Sequence, residues 1–154
     1  MGPVPDKEVK INQFANESPC ICFNLRKAAR AITQIYDHMF RGIGLTASQI
    51  SILTSLRMIG SMSVSQLSQA MATDRTTITR NLKPLERDGL IKIKVGDDKR
   101  SRLILLTDKG NDLCDQSFNI FREFQQKVSQ KLGKERMELM CKELNEAVAT
   151  IQEI

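Results

Sequence analysis

The chain has 154 residues, enough for one ordinary domain and too few for two with full cores. Its 41% hydrophobic and 27% charged content is that of a folded soluble protein, and no run approaches the roughly 18 apolar residues of a membrane span or the apolar core of a secretion signal, so a cytoplasmic location with no membrane partner is expected. The net charge of +5 is unevenly spread, with nine basic and five acidic side chains over residues 74–102 but seven and nine over 103–154, and so local a basic excess suits a polyanion.

Residues 1–17 carry Gly2, Pro3, Pro5 and scattered charge without a period, and are expected to form a mobile N-terminal arm. Ser18 followed by Pro19 marks a helix start, with Ser18 as cap and Pro19 where its missing N–H is harmless. From there Cys22, Leu25, Ala29, Ile32, Tyr36 and Met39 recur at spacings of three and four, an apolar seam about five turns long. The helix should stop near Arg41-Gly42.

Thr46-Ala47-Ser48-Gln49 and Ser63-Val64-Ser65-Gln66 both have the capping-box pattern, in which a hydroxyl accepts from a backbone N–H three residues on and the Gln side chain reaches back. The first of these helices should run to Ile59, before Gly60, and the second to Met71. A third is expected from Thr73-Asp74 to Arg87-Asp88, ended by Gly89. Two short helices separated by Ala72-Thr73-Asp74 make a helix-turn-helix pattern.

The period then changes. Ile91, Ile93 and Val95 alternate with Lys92 and Lys94, and residues 102–106 form a second β-prone run, with Gly96-Asp97-Asp98-Lys99-Arg100 between them. This predicts a β-hairpin with a charged tip. Thr107 should cap a long helix carrying Leu113, Phe121, Phe124, Val128 and Leu132, broken at Gly133, and a last helix carries Met137, Met140, Leu144, Val148 and Ile151. The predicted fold is therefore mostly α with a small β-hairpin wing. It comprises a winged helix-turn-helix domain over 46–106 and a helical dimerisation region formed by 18–45 and 107–154. The terminal seams exceed what a small winged domain can cover, so a second copy of the chain is the expected lid.

On a wheel at about 100° per residue, Arg75, Thr79, Lys83, Thr76 and Arg80 of the third helix fall within an arc of about 140°, and Ile78, Leu82 and Leu85 fall outside it. Arg can bond guanine O6 and N7 bidentately, and Thr can reach base edges or a thymine methyl, so this face has the chemistry of a major-groove reader. An ordinary amphipathic surface helix would give the same wheel; the adjoining hairpin favours the reader. A thin ribbon tipped by Asp98, Lys99 and Arg100 suits a narrow minor groove, with Asp98 orienting Arg100 by a charge-assisted bond. Lys92, Lys94 and Arg102 are expected together on the hairpin's polar side, where they would meet phosphates.

The run Asp98-Lys99-Arg100-Ser101-Arg102-Leu103-Ile104-Leu105-Leu106-Thr107-Asp108-Lys109-Gly110 resembles the D-x-R-x-x-x-L-x-L-T-x-x-G wing signature of MarR-type transcriptional regulators. Leu85-Glu86-Arg87-Asp88-Gly89-Leu90-Ile91 is similar to their L-E-x-x-G-L-I helix exit. The resemblance implies a homodimer with intertwined terminal helices, bound to a pseudo-palindromic double-stranded DNA site, usually as a repressor. It assigns Asp98 and Arg100 to the wing tip, and Arg75, Thr76, Thr77, Thr79, Arg80 and Lys83 to the recognition helix. Pro84, inside that helix, departs from a regular helical sequence and leaves the carbonyl of Arg80 without its usual donor.

Regulators of this type release DNA when an inducer favours one of two states. Two inducer classes are open: a small aromatic ligand, which no residue here specifies, or an oxidant acting at Cys22. Cys22, with Tyr36 fourteen residues on, is similar to the arrangement in organic-hydroperoxide-sensing members, where a thiolate is oxidised to sulfenate, although Arg26 stands where those proteins have a second tyrosine. The plainer reading is that Cys22 and Tyr36 pack on the apolar seam. No metal site or other cofactor is expected, because Cys20, Cys22, Cys114, Cys141 and the single His38 lack zinc spacing. Nor is an enzyme expected, since neither a phosphate loop nor a nucleophile elbow is present. The rival function is a winged-helix protein-interaction adaptor without specific DNA binding.

Overall fold

The structure, a computed structural model, describes residues 20–96 and 102–153. The expected arm over 1–17, the Ser18-Pro19 helix start and the tip residues Asp98, Lys99 and Arg100 lie outside the described residues. The chain divides into two compact units, Met1–Ala47 and Ser48–Ile154.

In the first unit, helix α1 (Ile21–Phe40) is followed by a 3-10 turn, Arg41–Ile43. The carboxylate of Asp37 accepts from the Ala47 N–H at 2.7 Å, so one of the orphan donors at the next helix start is satisfied from α1. Of α1 only Phe40 is fully buried. The ring of Tyr36 meets that of Phe40 at 5.9 Å between centroids, tilted by 57°. The seam expected along α1 exists as a stripe, but Cys22, Ala29 and Ile32 on it are exposed.

The second unit holds the rest of helix α2 (Ala47–Ile59), strand β1 (Met62–Ser63), helices α3 (Val64–Ala70) and α4 (Arg75–Arg87), strands β2 (Ile91–Val95) and β3 (Arg102–Leu106), and helices α5 (Asp108–Leu132) and α6 (Lys134–Ile151). The hairpin gains a third strand: the order is β1-β3-β2, all antiparallel, with Met62 opposite Ile104 and Ser63 opposite Leu103. Two residues are too short a run to show a period, and Met62 joins the sheet because its side chain is buried with Ile104 opposite it. The core comprises Ile52, Leu53 and Leu56 of α2, Leu67 of α3, Ile78, Leu82 and Leu85 of α4, and Ile91 and Ile104 of the sheet.

Capping explains the boundaries. Ser63 and Gln66 make the reciprocal box, with Gln66 N–H donating to Ser63 Oγ at 3.2 Å and Ser63 N–H to Gln66 Oε1 at 2.8 Å. The turn between α3 and α4 closes with Ala72 in the left-handed region at φ 47° and with Thr73 N–H on the Ser68 carbonyl at 2.9 Å. Thr107 caps α5 by accepting from Gly110 N–H at 3.1 Å.

Helix α5 buries a face that its large side chains do not mark. Gly110, Cys114 and Ser117 are its buried residues, whereas Leu113, Phe121, Phe124 and Val128 are only half-buried and Leu132 is exposed. Small residues at spacings of four and three let the helix approach the winged core closely. Arg57 near the end of α2 pairs with Asp115 at 2.6 Å on this part of α5. Burial pushes the Cys114 thiol above its usual range, with the Arg57 guanidinium pulling the other way. Helix α6 has no buried residue, and its expected stripe of Met140, Leu144, Val148 and Ile151 is exposed. Among the described residues no helix is long and apolar enough to cross a membrane.

Candidate nucleic-acid interface

Helix α4 is fixed at both ends by its own sequence. At its start Asp74 accepts from the Thr77 N–H at 2.7 Å through one carboxylate oxygen and from the Thr77 hydroxyl at 2.7 Å through the other. These bonds, the hydroxyl foremost, hold the Asp74 carboxyl below the usual carboxylate range. At its exit Gly89 adopts φ 71°, its N–H meets the Glu86 carbonyl at 3.0 Å and Leu90 N–H meets the Leu85 carbonyl at 2.9 Å, a complete Schellman closure. Pro84 lies within the continuous helix, and Asp88 N–H still reaches the Pro84 carbonyl at 2.9 Å, so the helix is not broken there.

Between these ends the faces segregate as the wheel requires. Ile78, Leu82 and Leu85 are 3% exposed or less. Arg75, Thr76, Thr79, Arg80 and Lys83 are all exposed and line one shallow groove. Five side chains of the six assigned to the recognition helix are thus brought together. The sixth, Thr77, is half-buried and its hydroxyl is engaged with Asp74, which makes it a holder of the helix start. The Thr79 hydroxyl donates to the Arg75 carbonyl at 2.7 Å, so what it presents outward is its acceptor lone pairs and its methyl group.

In the wing, Lys92 and Lys94 are exposed and share one face of β2. The expectation that Arg102 joins them is corrected by the register. Arg102 lies opposite Val95, and directly opposed residues share a face, so Arg102 stands on the face of Ile91, Ile93 and Val95, beyond the end of the core. Both faces of the wing therefore carry positive charge.

Cys22 and Tyr36 are both on α1, separated by about 21 Å along its axis at 1.5 Å per residue, so they do not meet within one chain. Cys22 is exposed, so the packed position expected for it on the seam is not found among the described residues. Among the described residues no three His, Cys, Asp or Glu side chains gather where they would hold a metal ion.

Residues 45–101 match the MarR family profile. The HTH-type transcriptional regulator YwoH of Bacillus subtilis is 34% identical over 83 residues, covering 54% of this chain and 61% of YwoH. The organic hydroperoxide resistance transcriptional regulator of Bacillus subtilis is 31% identical over 101 residues, 65% of this chain and 69% of that protein. Among solved structures, the transcriptional regulator MosR of M. tuberculosis in complex with DNA superposes with a TM-score of 0.74 at 33% identity, covering 86% of this chain and 98% of that one.

Proposed function

Because this chain belongs to the MarR family and is a DNA-binding transcriptional regulator, we propose that it acts as a homodimer on a pseudo-palindromic operator. What carries this reading is the segregation of α4: a groove of guanidinium, ammonium and hydroxyl groups outward, and Ile78, Leu82 and Leu85 in the core. Arg75 and Arg80 supply bidentate donors to guanine, Thr76 and Thr79 touch base edges, and Lys83 meets a phosphate. Lys92, Lys94 and Arg102 add phosphate contacts from the wing, and Asp98, Lys99 and Arg100 form its tip in the minor groove.

Dimerisation is supported by apolar side chains that the described residues leave about half-exposed. Ile32 and Ile35 of α1, with Met140, Leu144, Val148 and Ile151 of α6, are 44 to 49% exposed. A two-fold pair built on residues 18–45 and 107–154 would hold two reading helices over 46–106 about 34–36 Å apart, one turn of DNA. Occupying an operator blocks transcription in the simplest case, so repression in the cytoplasm is the proposed mode. Release follows from an inducer that binds the two states unequally. An oxidant acting at Cys22 is supported by the exposure of that thiol and by the hydroperoxide-resistance relative; a small aromatic compound is the other inducer class.

Selection of bound duplexes from a random pool, with and without an organic hydroperoxide, tests these points together. The expected product is a two-fold symmetric sequence, with peroxide abolishing binding by the native protein but not by Cys22→Ser. Enrichment of no sequence would favour the protein-interaction adaptor. Equal release of both proteins by peroxide would remove the thiol sensor.

A further inference from the structure

The exit of α4 and the first turn of α5 are locked to each other through the Leu85–Leu90 closure and the Leu106–Gly110 segment. Thr107 N–H donates to the Leu90 carbonyl at 3.1 Å. The Thr107 hydroxyl is within donating distance of two carbonyls, Gly89 at 2.8 Å and Leu90 at 3.0 Å, while its lone pair accepts from Gly110 N–H. Lys109 Nζ reaches the Asp88 carbonyl at 2.8 Å. Gly110 is buried, and a Cβ there would run into the Leu90 carbonyl oxygen and come within 2.7 Å of Leu106 Cδ1. Three consecutive carbonyls just beyond α4, those of Asp88, Gly89 and Leu90, are thus gripped by the cap and first turn of α5.

A cap alone needs only an acceptor at Thr107. Here the same hydroxyl also spends its hydrogen on the end of another helix, and Gly110 lets the two backbones approach so closely that they cannot slide past each other. A rotation of α5 would therefore act on the exit of α4 directly through these contacts. We infer that Thr107 and Gly110 are positioning residues for DNA reading, forming a rigid joint through which α5 sets the stance of the α4 reading face. The inference rests on the proposed DNA-reading role of α4 and assigns a task to the T-x-x-G end of the wing signature that groove contacts leave unused.

The test compares affinity for the selected duplex and for a scrambled duplex of equal length, by fluorescence anisotropy, in native protein and in Thr107→Ser, Thr107→Val and Thr107→Asp. Aspartate keeps the cap acceptor but has no proton to give the Gly89 and Leu90 carbonyls, which separates folding of α5 from grip on α4. Serine should stay within about twofold of native selectivity, while valine and aspartate should each lower the selected-to-scrambled ratio about tenfold. Scrambled-duplex affinity should keep its dependence on salt in all of them except for an offset in aspartate from its added charge. Native selectivity in Thr107→Asp would show that capping is the whole role and overturn the joint, as would an unchanged ratio in folded Thr107→Val. A native protein that prefers no duplex would instead defeat the DNA-reading proposal itself, and the joint with it.

Discussion

Asp74 fixes the start of α4 with a single side chain. Both of its oxygens are used within its own first turn, on the Thr77 N–H and hydroxyl. The sequence marked position 74 as a helix start from the Thr73-Asp74 pair, but it gave no sign that Thr77 turns inward to meet the carboxylate. Since the folded carboxyl titrates below its unfolded value, the ionised form stabilises the fold. That contribution is fully present above the unfolded pKa of about 4 and is lost as pH falls below it through the folded value. Asp88 behaves alike, held low by the Arg87 guanidinium with the charge of Lys109 added. Asp74→Asn retains an acceptor that does not titrate, so urea unfolding between about pH 2 and 5 should show a shallower loss of stability than in native protein. Superimposable pH profiles would mean that the Asp74 bonds do not operate in solution.

At the scale of elements, what was legible were features that repeat or punctuate. The Ser63 and Gln66 box, the Gly89 stop, the alternation of residues 91–95 and the Thr107 cap each leave a local signature, and each element begins or ends there. What was not legible depends on pairing in space. Strand β1 exists only because β3 offers it an edge, and the face of Arg102 is set by register across residues that the alternation does not reach. The close approach of α5 is written in glycine, cysteine and serine, residues that a search for large apolar side chains passes over. Helix α4 binds to the core through three leucine and isoleucine side chains, and Leu82 lies in the middle of that contact, 3% exposed. Leu82→Ala should therefore cost about 2–5 kcal/mol of unfolding free energy, read from urea denaturation of the native and variant proteins. A cost under about 0.5 kcal/mol, the range of surface changes, would show that α4 is not docked as described.

For the whole molecule, the class of partner was legible in the sequence because charge and apolar area are additive along a chain. The basic excess over residues 74–102 points to a polyanion, and the structure gathers three of those basic side chains, Arg75, Arg80 and Lys83, with the hydroxyls of Thr76 and Thr79 around one groove. The apolar stripes on α1 and α6, half-exposed among the described residues, are what the proposed second copy would cover. Neither property identifies an operator, since base preference lies in the atomic fit of a few side chains to groove edges. The proposed DNA-binding function stands on the outward face of α4 being what holds the duplex. Its most direct test is the dissociation constant for the selected duplex in native protein and in Arg80→Glu, with sedimentation run on both to compare their assembly. The predicted result is a loss of about 100-fold or more with unchanged sedimentation, because the variant replaces a proposed base-reading donor with a charge that repels phosphate. An affinity within about twofold of native would contradict the account, because a bidentate base contact contributes more than that.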